Sequence, residues 1–160
     1  MPQANYTDRT EKMRHLLETE ADKIGARTEF VQRQSKLTAS RFCQTMVLGS
    51  LEGTEKSLSE FAQVSEELGV EISASGLNQR INDTAVLLLK EMLGHSIGLK
   101  LEGIESDGLL EQFRDVNLID SSYMSLPKAL KEQFPGLGRH SAAGLKMFLN
   151  YSYRYGQIRA

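Results

Sequence analysis

The sequence predicts a mainly helical α+β chain, with helices first and strands last. Three observations carry that expectation. Between about Asp8 and Lys100 apolar residues recur three and four positions apart, the period of helices with one buried face. After Gly103 that period is lost, and Glu105-Ser106-Asp107-Gly108 reads as a loop. From Leu145 the period becomes two: Leu145, Met147, Leu149, Tyr151 and Tyr153 share one face, while Lys146, Phe148, Asn150, Ser152 and Arg154 share the other. The chain has 160 residues, 40% of them hydrophobic and 25% charged, which is enough for one ordinary globular domain or one and a half small ones.

The first helix is expected over Asp8 to Ile24. Met13, Leu16, Leu17, Ala21 and Ile24 form its apolar stripe, and Gly25 is the expected stop. Thr38 is the expected N-cap of the next helix, because its hydroxyl can accept from an orphan first-turn amide. That helix buries Phe42, Cys43, Met46 and Val47. Cys43 on this face reads as a small core hydrophobe. Ser57-Leu58-Ser59-Glu60 has the capping-box pattern and opens a helix that turns Leu58, Phe61, Ala62 and Leu68 inward and stops near Gly69. Ser73 or Ser75 begins another, with Leu77 and Ile81 inward and Asn78, Gln79 and Arg80 outward. Asn82-Asp83-Thr84 opens a helix running through Val86, Leu89, Met92, Leu93 and Ile97. Apolar residues cover so much of its girth that it is expected to be central and mostly buried. Gly94 and Gly98 within it mark close packing or an early end, and His95 reads as a structural or surface residue.

The C-terminal stretch starts with a helical turn between Leu109 and Phe113. A short strand ending at Asp120 follows, with Ser121 and Ser122 next. Asp is depleted in strand interiors. A carboxylate there is a turn or cap residue, the commoner use of Asp beside Ser, or an oxygen ligand of the kind Mg²⁺ prefers. Pro127 suits a first helical turn ahead of Lys128 to Phe134, and Pro135-Gly136-Leu137-Gly138 is a strong turn signal. Gly156 suggests a hairpin. Two strands do not make an independently stable sheet, so the chain is expected to be a fragment.

Composition removes several function classes. No apolar run approaches ~18 residues, so no membrane span is expected. Met1 to Thr10 lacks the apolar core of a signal peptide. A single Cys allows neither an internal disulfide nor a Cys-based zinc site, and a reducing cytoplasm is the expected location. The net charge of −2 is not that of a generic polybasic nucleic-acid binder, but its distribution is uneven. Residues 1–56 hold 9 basic and 8 acidic side chains, 57–110 hold 3 and 9, and 111–160 hold 7 and 4. Between Lys23 and Arg41 five basic residues (Lys23, Arg27, Arg33, Lys36, Arg41) face one acid, Glu29. Such a cluster can neutralise phosphates, or it is simply a solvated face. The pair Ser57–Leu68 and Ser73–Ile81, joined through Gly69, has the helix-turn-helix plan. Asn78, Gln79 and Arg80 are side-chain types that pair with base edges. The acidic first helix of the pair, with Glu60, Glu66 and Glu67, weighs against DNA.

Three stretches together resemble the N-terminal part of a bacterial insertion-sequence transposase of the DDE type. They are Phe30-Val31-Gln32-Arg33-Gln34-Ser35-Lys36-Leu37-Thr38 with the helix behind it; Leu58 to Arg80, including Leu68-Gly69-Val70-Glu71-Ile72-Ser73 and Gly76-Leu77-Asn78-Gln79-Arg80; and Ile119-Asp120-Ser121-Ser122 with Leu126-Pro127, Phe134-Pro135-Gly136 and Leu145-Lys146. The resemblance implies an α+β, predominantly α chain. Residues 1–25 would be an N-terminal amphipathic helix and 26–103 a helical, DNA-binding-like domain with the helix-turn-helix-like pair. Residues 104–160 would be the truncated start of an RNase H-like catalytic domain, with its first two strands. It implies that Asp120 is the first metal-binding and catalytic acid of an Asp-Asp-Glu triad, the other two falling beyond Ala160. Ser122 stands where the family usually has Thr. The cofactor implied for the full-length family is Mg²⁺ or Mn²⁺, which this chain alone is not expected to bind. The implied partner is transposon-end DNA, together with a second copy of the chain; neither a membrane nor a small-molecule substrate is implied. Arg33, Lys36, Arg41, Gln79 and Arg80 are the candidate DNA contacts, and the chain alone is expected to be catalytically inactive. The alternative is a stand-alone helix-turn-helix DNA-binding module without catalysis, in which Asp120 is dispensable. A degraded remnant without function is a third reading.

Overall fold

The computed structural model describes residues 4–33, 35–51, 56–99, 112–136 and 142–159. The chain divides into two units, residues 1–99 and 100–160, and is α+β with helix predominating.

The first unit is helical. α1 (Ala4–His15) passes through a π-helical stretch, Leu16–Glu20, into α2 (Ala21–Arg27). The buried residues Leu16 and Ala21 are five apart, one more than an α-helical face allows, and the wider π turn brings both inward. Met13 thereby falls off the predicted stripe and is 45% exposed. Gly25 does not stop the helix. The reversal comes at Glu29, which takes φ 57, with its amide donating to Ala26 O. Gly25 sits where α2 crosses α3 (Ala39–Ser50): a Cβ on it would overlap the Cβ of Ala39.

Two side chains close the start of α3. Thr38 Oγ1 accepts from Arg41 N at 3.2 Å, as the sequence predicts. Asp22, from α2, accepts from Ser40 N at 2.8 Å. Two of the orphan amides are thus satisfied, one of them across the helix crossing. α3 buries Phe42, Cys43 and Thr45, whereas Met46 is only partly covered and Val47 is exposed. Phe42 meets the Phe30 ring at 4.7 Å between centroids. Ser57 forms the predicted capping box with Glu60 at the start of α4 (Leu58–Glu67). Gly69, at φ 83, then reverses the chain. Its amide bonds Glu66 O and that of Val70 bonds Ser65 O, the paired closure of a left-handed C-cap with Val70 buried behind it. Ser73 caps α5 (Ala74–Arg80), and Asn82 caps α6 (Asp83–Gly98).

α6 departs from expectation. Only Ala85, Leu88 and Met92 are buried; Val86, Leu89, Leu93 and Ile97 form an exposed stripe, and no atom lies near a Cβ built on Gly94 or Gly98. The helix docks by a narrow face onto α2 and the π-helical stretch. Arg27 pairs there with Glu91, and His95 Nδ1 lies 4.0 Å from Glu20.

The second unit is an antiparallel meander in the order β1–β2–β3. β1 (Asn117–Leu126) does not end at Asp120 but runs six residues further, paired throughout with β2 (Ala143–Ser152). A single 3₁₀ turn, Lys128–Leu130, replaces the longer helix expected after Pro127. Pro135 bridges to Ala143 and Gly136 N donates to Ala142 O at 3.2 Å; residues 137–138 of the predicted turn, the loop expected over 105–108 and residues 109–111 of the helical turn expected over Leu109 to Phe113 lie outside the described residues. A third strand, β3 (Gln157–Arg159), follows the turn at Gly156, φ 59, so the predicted hairpin is present and adds a strand to the expected two. The Tyr123 side chain lies across Gly144, where a Cβ would collide with its ring, and covers the backbone that glycine leaves bare. Asp115 ties the sheet end. It accepts from the buried Ser152 hydroxyl at 2.9 and 3.0 Å and pairs with Arg159 at 2.8 Å.

Candidate functional site

The structure sorts the basic residues between Lys23 and Arg41 by what each already touches. Lys23 Nζ is 2.7 Å from Glu20, Arg27 pairs with Glu91, and Arg41 donates to Gln44 at 2.9 Å. Arg33 and Lys36 are exposed on the loop between α2 and α3 and make no ion pair among the described residues.

Arg33 and Arg80 line one hollow of about 460 Å³, with Phe30, Glu29, Asn82 and Thr84 among its walls. Arg80 is the correction here. The sequence places it outward, like its neighbours on α5, yet it is only partly exposed. Its guanidinium lies over the Phe30 ring at 4.8 Å, and Nη2 donates to Leu37 O at 3.2 Å. An aromatic face and a carbonyl therefore fix the plane and one edge of the fork. The remaining N–H groups of its five are left to other partners. Asn82 and Thr84 are held by the start of α6: Asn82 Oδ1 accepts from Ala85 N at 3.1 Å and from Thr84 Oγ1 at 2.7 Å. The positive end of the α6 dipole thus adjoins the hollow. Glu29 is the single acid among the lining residues.

Of the five candidate DNA contacts, the structure brings two, Arg33 and Arg80, to one hollow. Lys36 follows on the same loop. Arg41 stands in the first turn of α3, and Gln79 is exposed on α5; neither lines the hollow. The sequence reading missed the part played by Phe30. The available signal was an aromatic residue at the edge of a basic loop.

Cys43 is no reactive centre, since burial, and then the nearby Asp22 charge, push its thiol up to about 12.

Asp120 is the fourth residue of β1, exposed, and opposite Leu149 in β2. Its Oδ1 accepts from Ser121 N at 2.7 Å. Strand alternation puts it on one face with Leu118, Ser122, Met124, Met147 and Leu149. Among the described residues no three His, Cys, Asp or Glu side chains gather as a metal site needs. Asp115, on the same chain, is committed to Ser152 and Arg159. The donor set here is one carboxylate, which does not fit a divalent-metal centre on its own.

Comparison with known proteins bears on about nine-tenths of the chain. It is 29% identical over 153 residues to the transposase for insertion sequence element IS231B of Bacillus thuringiensis subsp. berliner, which covers 92% of this chain and 32% of that protein. It is 25% identical over 152 residues to the IS231F transposase of subsp. israelensis, with the same coverage. With the IS231D transposase of subsp. finitimus it shares 27% over 148 residues, covering 90% of this chain and 31% of the relative. Its curated homologues are insertion-sequence transposases. The chain spans about a third of the length of these transposases. No family model matches it, and no solved structure does. No helix among the described residues is long and apolar enough to cross a membrane.

Proposed function

We propose that this chain is the N-terminal part of a DNA transposase of the DDE type. Its helical unit binds DNA, and its sheet carries the first metal-binding acid, Asp120, of an RNase H-like catalytic domain. The observation that carries the reading is the similarity to insertion-sequence transposases, which takes in about nine-tenths of this chain but a third of theirs. The basic loop supports the DNA-binding half, because Arg33 and Lys36 are exposed and uncommitted to internal acids among the described residues. Cytoplasmic DNA is the partner such a chain would meet. In the full-length family the bound ion would be Mg²⁺ or Mn²⁺. Asp120 by itself does not hold one, so the chain alone is inactive in strand cleavage.

The test is binding of the purified 160-residue chain to double-stranded DNA across a salt series. Affinity should fall linearly in log–log form as salt rises. Arg33→Ala combined with Lys36→Ala should weaken binding and flatten that slope by about two, one per phosphate contact. Unchanged affinity and slope in the double variant would sink the assignment of these residues. Nicking of transposon-end DNA by the purified chain with Mg²⁺ or Mn²⁺ would sink the claim of inactivity.

A second reading, a stand-alone helix-turn-helix module, is favoured by one feature. α4 and α5 are joined by the tight turn at Gly69, with Asn78 and Gln79 exposed on α5. It requires that Asn78→Ala plus Gln79→Ala abolish discrimination between DNA sequences, and that cellular function survive Asp120→Asn.

A further inference from the structure

The hollow between Arg33 and Arg80 has features that a diffuse basic surface lacks. One guanidinium is held in place before any ligand arrives, stacked on Phe30 at 4.8 Å and tethered to Leu37 O at 3.2 Å. A second, Arg33, reaches the same space from an exposed loop. The N-terminal end of a sixteen-residue helix adjoins it through Asn82 and Thr84. We infer that this hollow grips one phosphodiester group of a DNA backbone, with Arg80 as the pre-positioned fork and Arg33 closing over it. The inference rests on the DNA-binding reading and names the ligand group of that site.

The charge of the hollow suits a phosphodiester. Two arginines and Glu29 leave a net single positive charge on the charged lining residues. That matches the one negative charge of a diester, the form phosphate takes along a DNA backbone. The geometry also separates the two arginines in kind. Arg80 acts through its planar fork, so its charge alone is not enough; Lys carries a point charge on a flexible stem and cannot present parallel N–H donors. Arg33 acts through its charge. Asn82 and Thr84 have their side chains spent on capping α6, so they shape the wall and hold the helix end in place.

The experiment uses the 160-residue chain, with two readouts. In the first, anisotropy of a fluorescent DNA duplex is followed across a salt series. Arg80→Lys is expected to lose about tenfold in affinity despite keeping its charge, the loss typical of a hydrogen bond to a charged group. Arg33→Ala is expected to lower the salt slope by about one, and Glu29→Gln to tighten binding. In the second, dimethyl phosphate and, separately, inorganic phosphate are titrated against the arginine Nε–H resonances of the wild type. Dimethyl phosphate is expected to shift Arg80 and Arg33, and inorganic phosphate, which offers the same oxygens to the same fork, to shift them too. The inference fails if DNA binds but Arg80→Lys and Arg33→Ala leave affinity and slope unchanged, and in that case the DNA-binding reading stands. If dimethyl phosphate shifts both arginines while DNA does not bind, the hollow stands and the DNA-binding reading falls. If neither ligand binds, both fall. Arg33 is exposed, so its variant raises no folding question; Arg80→Lys, at a part-buried position, is checked by its circular dichroism.

Discussion

Replacing Gly25 by Ala sets two well-characterised effects against each other, and the structure decides which wins. In a helix interior the change favours folding by about 1 kcal/mol through backbone propensity and a less entropic unfolded chain. Against this, the new methyl would overlap the Ala39 Cβ, with Ala39 Cα at 3.6 Å and Val31 Cγ2 at 3.9 Å. Alanine has no rotamer to swing aside, so α2 and α3 must separate. Overpacking of this kind costs roughly 1–3 kcal/mol, and a neighbour that cannot yield argues for the upper end. The expected net loss is about 2 kcal/mol. In a unit of this size each kcal/mol moves Tm by roughly 4–8 °C, so a fall on the order of 10 °C is expected. Thermal melts followed by far-ultraviolet circular dichroism measure it. Gly94→Ala is the internal control: nothing lies within 4 Å of that position, so it should gain up to about 1 kcal/mol and melt higher. Gly25→Ala with Ala39→Gly should recover most of the loss, a non-additivity on the order of 2 kcal/mol between contacting residues. A Gly25→Ala protein melting at or above the wild type would refute the close α2–α3 crossing.

Other perturbations test other joints. Gly69→Ala, at φ 83 with open space around it, should lose about 1 kcal/mol from backbone strain alone in the same melt, with Gly69→Asn milder. Glu60 is held below the usual carboxylate range by the Ser57 backbone amide first and the Ser57 hydroxyl second. Its folded value lies below its unfolded one, so its contribution is present above the ordinary value near 4.5 and disappears as pH falls through the depressed one. Glu60→Gln should therefore melt lower than the wild type near neutrality and converge with it in acid. Ser152→Ala removes the buried hydroxyl on Asp115. Because a hydrogen bond to a charged group contributes about 1.5–3 kcal/mol, the Tyr153 amide bound to Val116 O should exchange at least about tenfold faster.

The helix starts were legible because their chemistry is local. Thr38 and Ser57 each accept from an amide three residues on, and the capping box is written within Ser57–Glu60. What was illegible depends on partners distant in sequence. Asp22 caps α3 from eighteen residues earlier, and Arg80 turns inward because Phe30 and Leu37, more than forty residues back, offer it a face and a carbonyl. Gly25 reads as a stop in isolation and is instead a contact point. The breadth of apolar residues on α6 suggested a central helix, but apolar content does not say how many neighbours a helix has. One narrow face is covered here and Val86, Leu89, Leu93 and Ile97 are not. The site residues split the same way. The exposed position of Arg33 follows from the basic loop around it, whereas the hollow it shares with Arg80 exists only once α5 has packed.

The strand bearing Asp120 sets a physical condition on any account of that residue. On its face of the sheet Leu118 is 53% exposed, Met124 45%, Met147 51% and Leu149 45%; on the opposite face Ile119 is 70% and Phe148 67% exposed. Two apolar faces are the mark of a strand suited to cover on both sides. An apolar layer laid over the Asp120 face would desolvate its carboxylate, which is costly unless a cation or several donors meet it. Its one described partner is the Ser121 amide, whose bond does not neutralise the charge. A covering layer therefore has to leave Asp120 at a watered rim or bring positive charge to it. In a transposase of the proposed type the second of these is a catalytic centre. In a stand-alone binding module no metal is called for, a watered rim or a salt bridge suffices, and Asp120→Asn would leave DNA binding unchanged.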